Sequence, residues 1–155
     1  MFKRSIFLFV VVFILVILYS CATTYQPMTA FGGYTDTQLD KNVFSVVVKS
    51  NQYTSKERTE DFALLRCAEL TLQHGYEYFI IIDADNYVKT TKYTTANLSN
   101  NTLTGTTNVN AITNTMVKPR SSNTISCFIE KPEFGFSYNA KFIYDSLSLK
   151  YGIGE

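Results

Sequence analysis

Val43-Phe44-Ser45-Val46-Val47-Val48, then Thr54-Ser55-Lys56-Glu57, then Tyr76-Glu77-Tyr78-Phe79-Ile80-Ile81-Ile82 are the stretches that decide the fold. The first and last are apolar runs of strand length, and the β-branched character of the first predicts a strand central to its sheet. Between them Phe62, Leu65, Ala68 and Leu72 recur at helical spacing, while Lys56, Arg58, Glu60 and Glu69 take the other faces. That pattern predicts a helix over 55–74. The Thr54 hydroxyl is expected to accept from the Glu57 N–H while the Glu57 carboxylate reaches back, and Gly75 suits the residue after the helix end. Strand, helix and strand form a β-α-β start, right-handed if the two strands share a sheet in parallel.

Toward the C-terminus the composition changes. In residues 94–124, Thr, Asn and Ser supply 19 of 31 positions, and the only charges are Lys118 and Arg120. Such a segment suits a β-ribbon or a mobile loop; it has no helical period and reads as an insertion rather than a core element. Thr124-Ile125-Ser126-Cys127-Phe128-Ile129-Glu130 restores strand character and Pro132 stops it. A last helix over 139–151 carries Ala140, Ile143, Leu147 and Tyr151 on one face and ends at Gly152. The expected fold is α+β, a small sheet with two helices packed on it.

Toward the N-terminus, residues 22–41 are polar and turn-rich, with Pro27 and Gly32-Gly33. They read as a short flexible tether leading to a domain at 42–155. Before them, Lys3 and Arg4 precede 13 uninterrupted apolar residues at 6–18. That is too short for a spanning helix, which needs about 20, and it matches a secretory signal at 1–20. The run closes on Leu18-Tyr19-Ser20-Cys21, which resembles the bacterial lipobox. The resemblance implies cleavage between Ser20 and Cys21, a diacylglyceryl group on the Cys21 thiol and an N-acyl chain on the freed amine. Two or three acyl chains, at about 0.8 kcal/mol per buried methylene, hold a protein on a bilayer permanently. Ala22, standing where Gram-negative lipoproteins with Asp are retained, implies sorting to the periplasmic face of the outer membrane. The alternative is an uncleaved anchor in which Cys21 is incidental.

A chain of 155 residues is one domain's worth. Its balance of 14 basic against 13 acidic residues becomes 12 against 13 once residues 1–20 are removed. Near-neutrality argues against electrostatic capture of nucleic acid or of anionic lipid headgroups, so membrane contact falls to the lipid.

The block Arg66-Cys67-Ala68-Glu69-Leu70-Thr71-Leu72 with His74-Gly75-Tyr76-Glu77-Tyr78-Phe79 resembles the signature of a family of small uncharacterised proteobacterial lipoproteins. Gly33-Tyr34, Asn51 with Tyr53-Thr54-Ser55, and Ala140 through Lys150-Tyr151-Gly152 sit in the corresponding order, so the likeness covers most of the chain outside the Thr/Asn-rich insertion. Two departures stand out: Cys67 replaces a small apolar residue, and Lys49-Ser50 replaces a glycine-containing turn. The resemblance implies a lipoprotein of this fold and carries no activity to transfer, so it says nothing about catalysis.

The chemistry-bearing residues are few. There is no CxxC, no metal-ligand cluster and no nucleophile paired with a base, which points away from an enzyme and from any cofactor beyond the acyl chains on Cys21. His74, the only histidine, is expected in the last turn of the first helix, where a cation suits the dipole. Cys67 and Cys127 of an exported domain could form a disulfide closing a loop of about 60 residues, stabilising by roughly 2–4 kcal/mol. They could equally remain buried thiols. Asp83-Ala84-Asp85-Asn86 reads as an Asx-rich turn after a strand, or as a weak calcium site at Asp83 and Asp85. Its likeness to the DxD site of nucleotide-sugar transferases is superficial in so short a chain. Tyr25, Tyr34, Tyr53, Tyr87 and Tyr93 fall in or near expected loops, where aromatics anchor protein partners. The functional expectation is a lipid-anchored, non-catalytic module holding another envelope component through loop tyrosines or the ribbon. The alternative is a small-ligand or ion-binding module.

Overall fold

A computed structural model describes residues 22–101 and 106–154. The elements are β1 (Gly33–Asp40), β2 (Val43–Lys49), α1 (Lys56–Gln73), β3 (Tyr78–Asn101), β4 (Thr106–Phe128), β5 (Tyr138–Asn139) and α2 (Ala140–Tyr151). One sheet holds all five strands in the order β1-β2-β4-β3-β5, and every neighbouring pair is antiparallel. The α+β architecture expected from the sequence is present. Strands β2 and β3 point the same way, but they are not neighbours: β4 lies between them, so the β2-α1-β3 crossover skips one place and the Thr/Asn-rich segment fills it.

Period two explains which face of the sheet is covered. Phe44, Val46 and Val48 of β2 are buried, as are Ser121, Asn123, Ile125 and Cys127 of β4. Helix α1 lays Phe62, Ala63, Cys67 and Ala68 on this face, and Phe79 and Ala140 complete the core. The alternate residues Ser45, Val47, Ser122 and Thr124 face away from the helices and are half-exposed. The sheet therefore has one packed face and one open face.

Helix α1 starts one residue later than the capping pattern predicts. Ser55 is the N-cap, its hydroxyl accepting from the Arg58 N–H at 3.1 Å, because Thr54 is committed elsewhere. Helix α2 starts at the expected Asn139, whose carbonyl oxygen accepts from the Phe142 N–H at 2.9 Å. It packs on α1 through Lys150, which reaches Glu57 and Asp61 at 2.9 and 2.7 Å, and Tyr151, whose ring meets Phe62 at 5.1 Å.

The expected tether at 22–41 and the domain boundary at 42 need correction, because the segment is folded into the domain. Gly33–Asp40 forms edge strand β1, and Tyr25 and Tyr34 pack against the core. Gly32 and Gly33 are sites of close approach rather than hinges. At φ 138°, a Cβ on Gly33 would stand 2.5 Å from the carbonyl oxygens of Gln26 and Pro27.

The insertion at 94–124 is a ribbon. β3 and β4 pair continuously from Tyr78↔Phe128 to Asn101↔Thr106, with one irregularity between Ile81 and Asp83. Strand β2 ends opposite Arg120, at Lys49. Beyond Val88↔Pro119 the pair therefore continues alone for thirteen further pairs, Lys89↔Lys118 to Asn101↔Thr106. At about 3.4 Å per residue this arm is roughly 44 Å long.

Candidate functional site

The most specific arrangement lies where the described chain begins. Thr23 is only 3% exposed. Its N–H donates to the Thr54 hydroxyl at 2.8 Å; its own hydroxyl accepts from the Asn51 N–H at 2.9 Å and donates to the Phe31 carbonyl at 3.2 Å. Thr54 in turn donates to the Asn51 side-chain carbonyl at 2.9 Å. This is why Thr54 does not cap the helix. Ser20 and Cys21, where a lipobox is expected, lie outside the described residues, yet the second residue after Cys21 is already clamped to the turn between β2 and α1.

A second set of bonds ties the same segment to α1. The Tyr25 phenol donates to Glu69 at 2.5 Å; Arg66 donates to Glu69 at 2.7 Å and to Asp36 of β1 at 2.9 Å. The Arg66 guanidinium also lies over the Tyr34 ring, 4.5 Å from its centroid. Burial raises the Tyr25 phenol well above its ordinary pKa, and the Glu69 carboxylate adds to the shift. For Arg66 burial opposes the charge, but hydrogen bonds to Asp36 and Glu69 outweigh it and hold the guanidinium above its ordinary value. Arg66 and Glu69, two of the charged residues of the sequence block, are thus fasteners for the N-terminal segment. Their i,i+3 spacing was the available signal, but Tyr25 and Asp36 as partners were not legible.

Around the clamp, Phe31 and Tyr53 are exposed. With Ala22, Met116 and Lys118 they line a cavity of about 560 Å³. This end of the molecule thus presents two aromatic side chains and an apolar hollow beside Ala22 and Thr23.

The other expected site residues are scattered. Cys67 and Cys127 are buried free thiols, not a disulfide. They fill the contact between α1 and β4, with the Thr71 hydroxyl 3.4 Å from the Cys127 sulfur. Burial pushes the Cys67 thiol up to about 12 and raises Cys127. Asp83 and Asp85 are not in a turn. β3 runs on through them, and after the irregularity at Ile82 both carboxylates stand exposed on the open face, opposite Thr124 and Ser122. Among the described residues no group of three acidic, histidine or cysteine side chains converges. His74 is the C-cap of α1 rather than part of its last turn, and its ring lies 4.5 Å from that of Phe44. Of the five tyrosines, Tyr25 and Tyr34 pack on the core, Tyr87 lies within β3, and Tyr53 is exposed as expected. The Tyr93 side chain lies outside the described residues.

Sequence reading missed the opposite end. Phe136 and Phe142 are 73% and 70% exposed, and Ile129 and Phe134 are also exposed. They cluster around the Tyr78↔Phe128 end of the sheet, the end away from Thr23. Their signal was the Pro132-Glu133-Phe134-Gly135-Phe136 sequence, a turn too rich in phenylalanine to be only a connection.

Compared with known proteins, the chain matches no family model, no curated protein and no solved structure. Among the described residues no helix is long and apolar enough to cross a membrane.

Proposed function

We propose that the chain is a lipid-anchored lipoprotein of the cell envelope, held through Cys21 on the periplasmic face of the outer membrane. In this reading it is a non-catalytic module that docks another envelope protein. The observation that carries the reading is the clamp on Thr23. A chain acylated at Cys21 and fastened two residues later has no slack, so its domain lies against the bilayer. Phe31 and Tyr53, exposed beside that point, then meet the interface, where aromatic side chains are favoured. Phe134, Phe136 and Phe142 point away from the membrane, at the end free to meet a partner. Exposed phenylalanines clustered at one end support partner binding, because apolar surface of this kind is costly unless covered.

The test is fractionation of cells expressing the wild type and Cys21→Ser, combined with crosslinking in intact cells. The wild type is expected in the outer-membrane fraction with one discrete crosslinked partner, and Phe136→Asp/Phe142→Asp should lose that partner while staying membrane-bound. A Cys21→Ser protein that remained processed and membrane-bound like the wild type would overturn the lipid anchor. An unchanged crosslink in the double variant would overturn the docking end.

A further inference from the structure

Four cations gather on one patch of the open face, where the ribbon leaves the sheet. Lys49, Arg120 and Tyr87 form one cross-strand row, since Arg120 is the register partner of both Lys49 and Tyr87. Lys89 and Lys118 form the next row, directly opposite one another. Side chains two apart on a strand share a face, so all five project on the same side. They line a cavity of about 270 Å³ with Ser50. The cross-strand lysine pair is unfavourable by itself, because like charges directly opposite one another destabilise a ladder. No ion pair relieves it: among the described residues none of the four cations has a carboxylate partner. The nearest carboxylate on this face, Asp85, belongs to the row behind, opposite Ser122, and does not line the cavity.

Arg120 is held in place. It donates from Nη1 to the Tyr87 hydroxyl at 2.8 Å and lies 5.3 Å from the centre of the Tyr87 ring. Its Nε is buried and has no hydrogen-bond partner. A buried donor without an acceptor is uncommon and calls for one. A guanidinium with a spare donor, ringed by three ammonium groups, suits a doubly charged oxyanion.

We propose that this patch is a binding site for a phosphate group, carried by a lipid headgroup or by a soluble phosphoester. Lys89 and Lys118 neutralise its charge from either strand of the ribbon, Lys49 from β2, and Arg120 supplies the directed donor. The headgroup as source rests on the anchored reading, because Lys118 also lines the cavity beside Ala22; the site itself does not.

The experiment uses the full-length chain in neutral-detergent micelles and reads its melting midpoint at constant ionic strength. One arm titrates inorganic phosphate against chloride. The other replaces part of the micelle with phosphatidylglycerol, against phosphatidylcholine as the net-neutral control. The expected result is a saturable upward shift, weakened at least tenfold in apparent affinity by Lys89→Gln/Lys118→Gln and restored by Lys89→Arg/Lys118→Arg. Without anion the glutamine variant should melt no lower than the wild type, since it relieves a repulsion. Lys92→Gln, on the ribbon's other face, should respond normally. A shift with phosphatidylglycerol alone supports the site with a headgroup as its ligand, and a shift with inorganic phosphate supports it for soluble phosphoesters. No shift in either arm, an unchanged response in the glutamine variant, or an equal loss in Lys92→Gln would overturn the site. None of these readouts depends on acylation of Cys21, which fractionation reports separately.

Discussion

Gly33 shows how much of this fold rests on single residues. Its φ of 138° and the two carbonyl oxygens 2.5 Å from a would-be Cβ leave no room for a side chain, and the strand it opens carries Asp36, the partner of Arg66. Gly33→Ala should cost about 2 kcal/mol or more in unfolding free energy, from backbone strain and overpacking together, as read by urea denaturation. At the core, the Cys67 thiol titrates near 12 in the folded chain and near 9 when exposed. Cys127 and the Tyr25 phenol shift in the same direction. Between about pH 9 and 12 the unfolded chain therefore gives up protons that the native chain keeps, so stability falls with rising pH across that window. Urea titrations at pH 8, 10 and 11 should show this fall, and it should be shallower in Cys67→Ala. At pH 8 Cys67 and Cys127 of the native protein should not react with an aromatic disulfide reagent, and unfolding should make both reactive.

At the scale of elements, the ribbon stands apart from the core of the domain. Among the described residues the core comes from β2, α1, the sheet-embedded parts of β3 and β4, and the first residue of α2, with none from 89–118. Replacing residues 89–118 by Asn-Gly, a two-residue turn suited to a hairpin, should leave the domain folded and change its unfolding free energy by less than about 1 kcal/mol, as read by denaturation of both chains. The same separation explains what was legible. Val43 to Val48, the amphipathic α1 and the second apolar run announce themselves because burial writes a period into the sequence. Gly33–Asp40 does not, because an edge strand exposed along most of its length has little apolar alternation to show, and its two glycines imitate a linker. The insertion was readable as a Thr-rich ribbon or a loop, but neither the choice between them nor the register was, since register there is fixed by the partner strand and not by a buried face. The clamp on Thr23 was invisible for a related reason: hydrogen bonds between residues some thirty positions apart leave no local pattern.

On the scale of the whole molecule, near-neutrality hides a division of charge. Residues 86–129 hold Lys89, Lys92, Lys118 and Arg120 and no carboxylate, whereas the rest of the chain after Ser20 holds eight cations against thirteen acids. The positive region begins at the end of the sheet where Thr23 is fastened, and the exposed Phe134, Phe136 and Phe142 occupy the other end. An arm of about 44 Å also sets how the particle moves. A compact body of some hundred residues has a radius of gyration near 13 Å, so the ribbon extends beyond it by more than the body's own width. Rotation about the arm's long axis is then fast and rotation across it slow. Under the proposed attachment at Cys21, a molecule held beside the base of such an arm sweeps a disc of surroundings many times its own cross-section, and meets neighbours that its folded body would never touch.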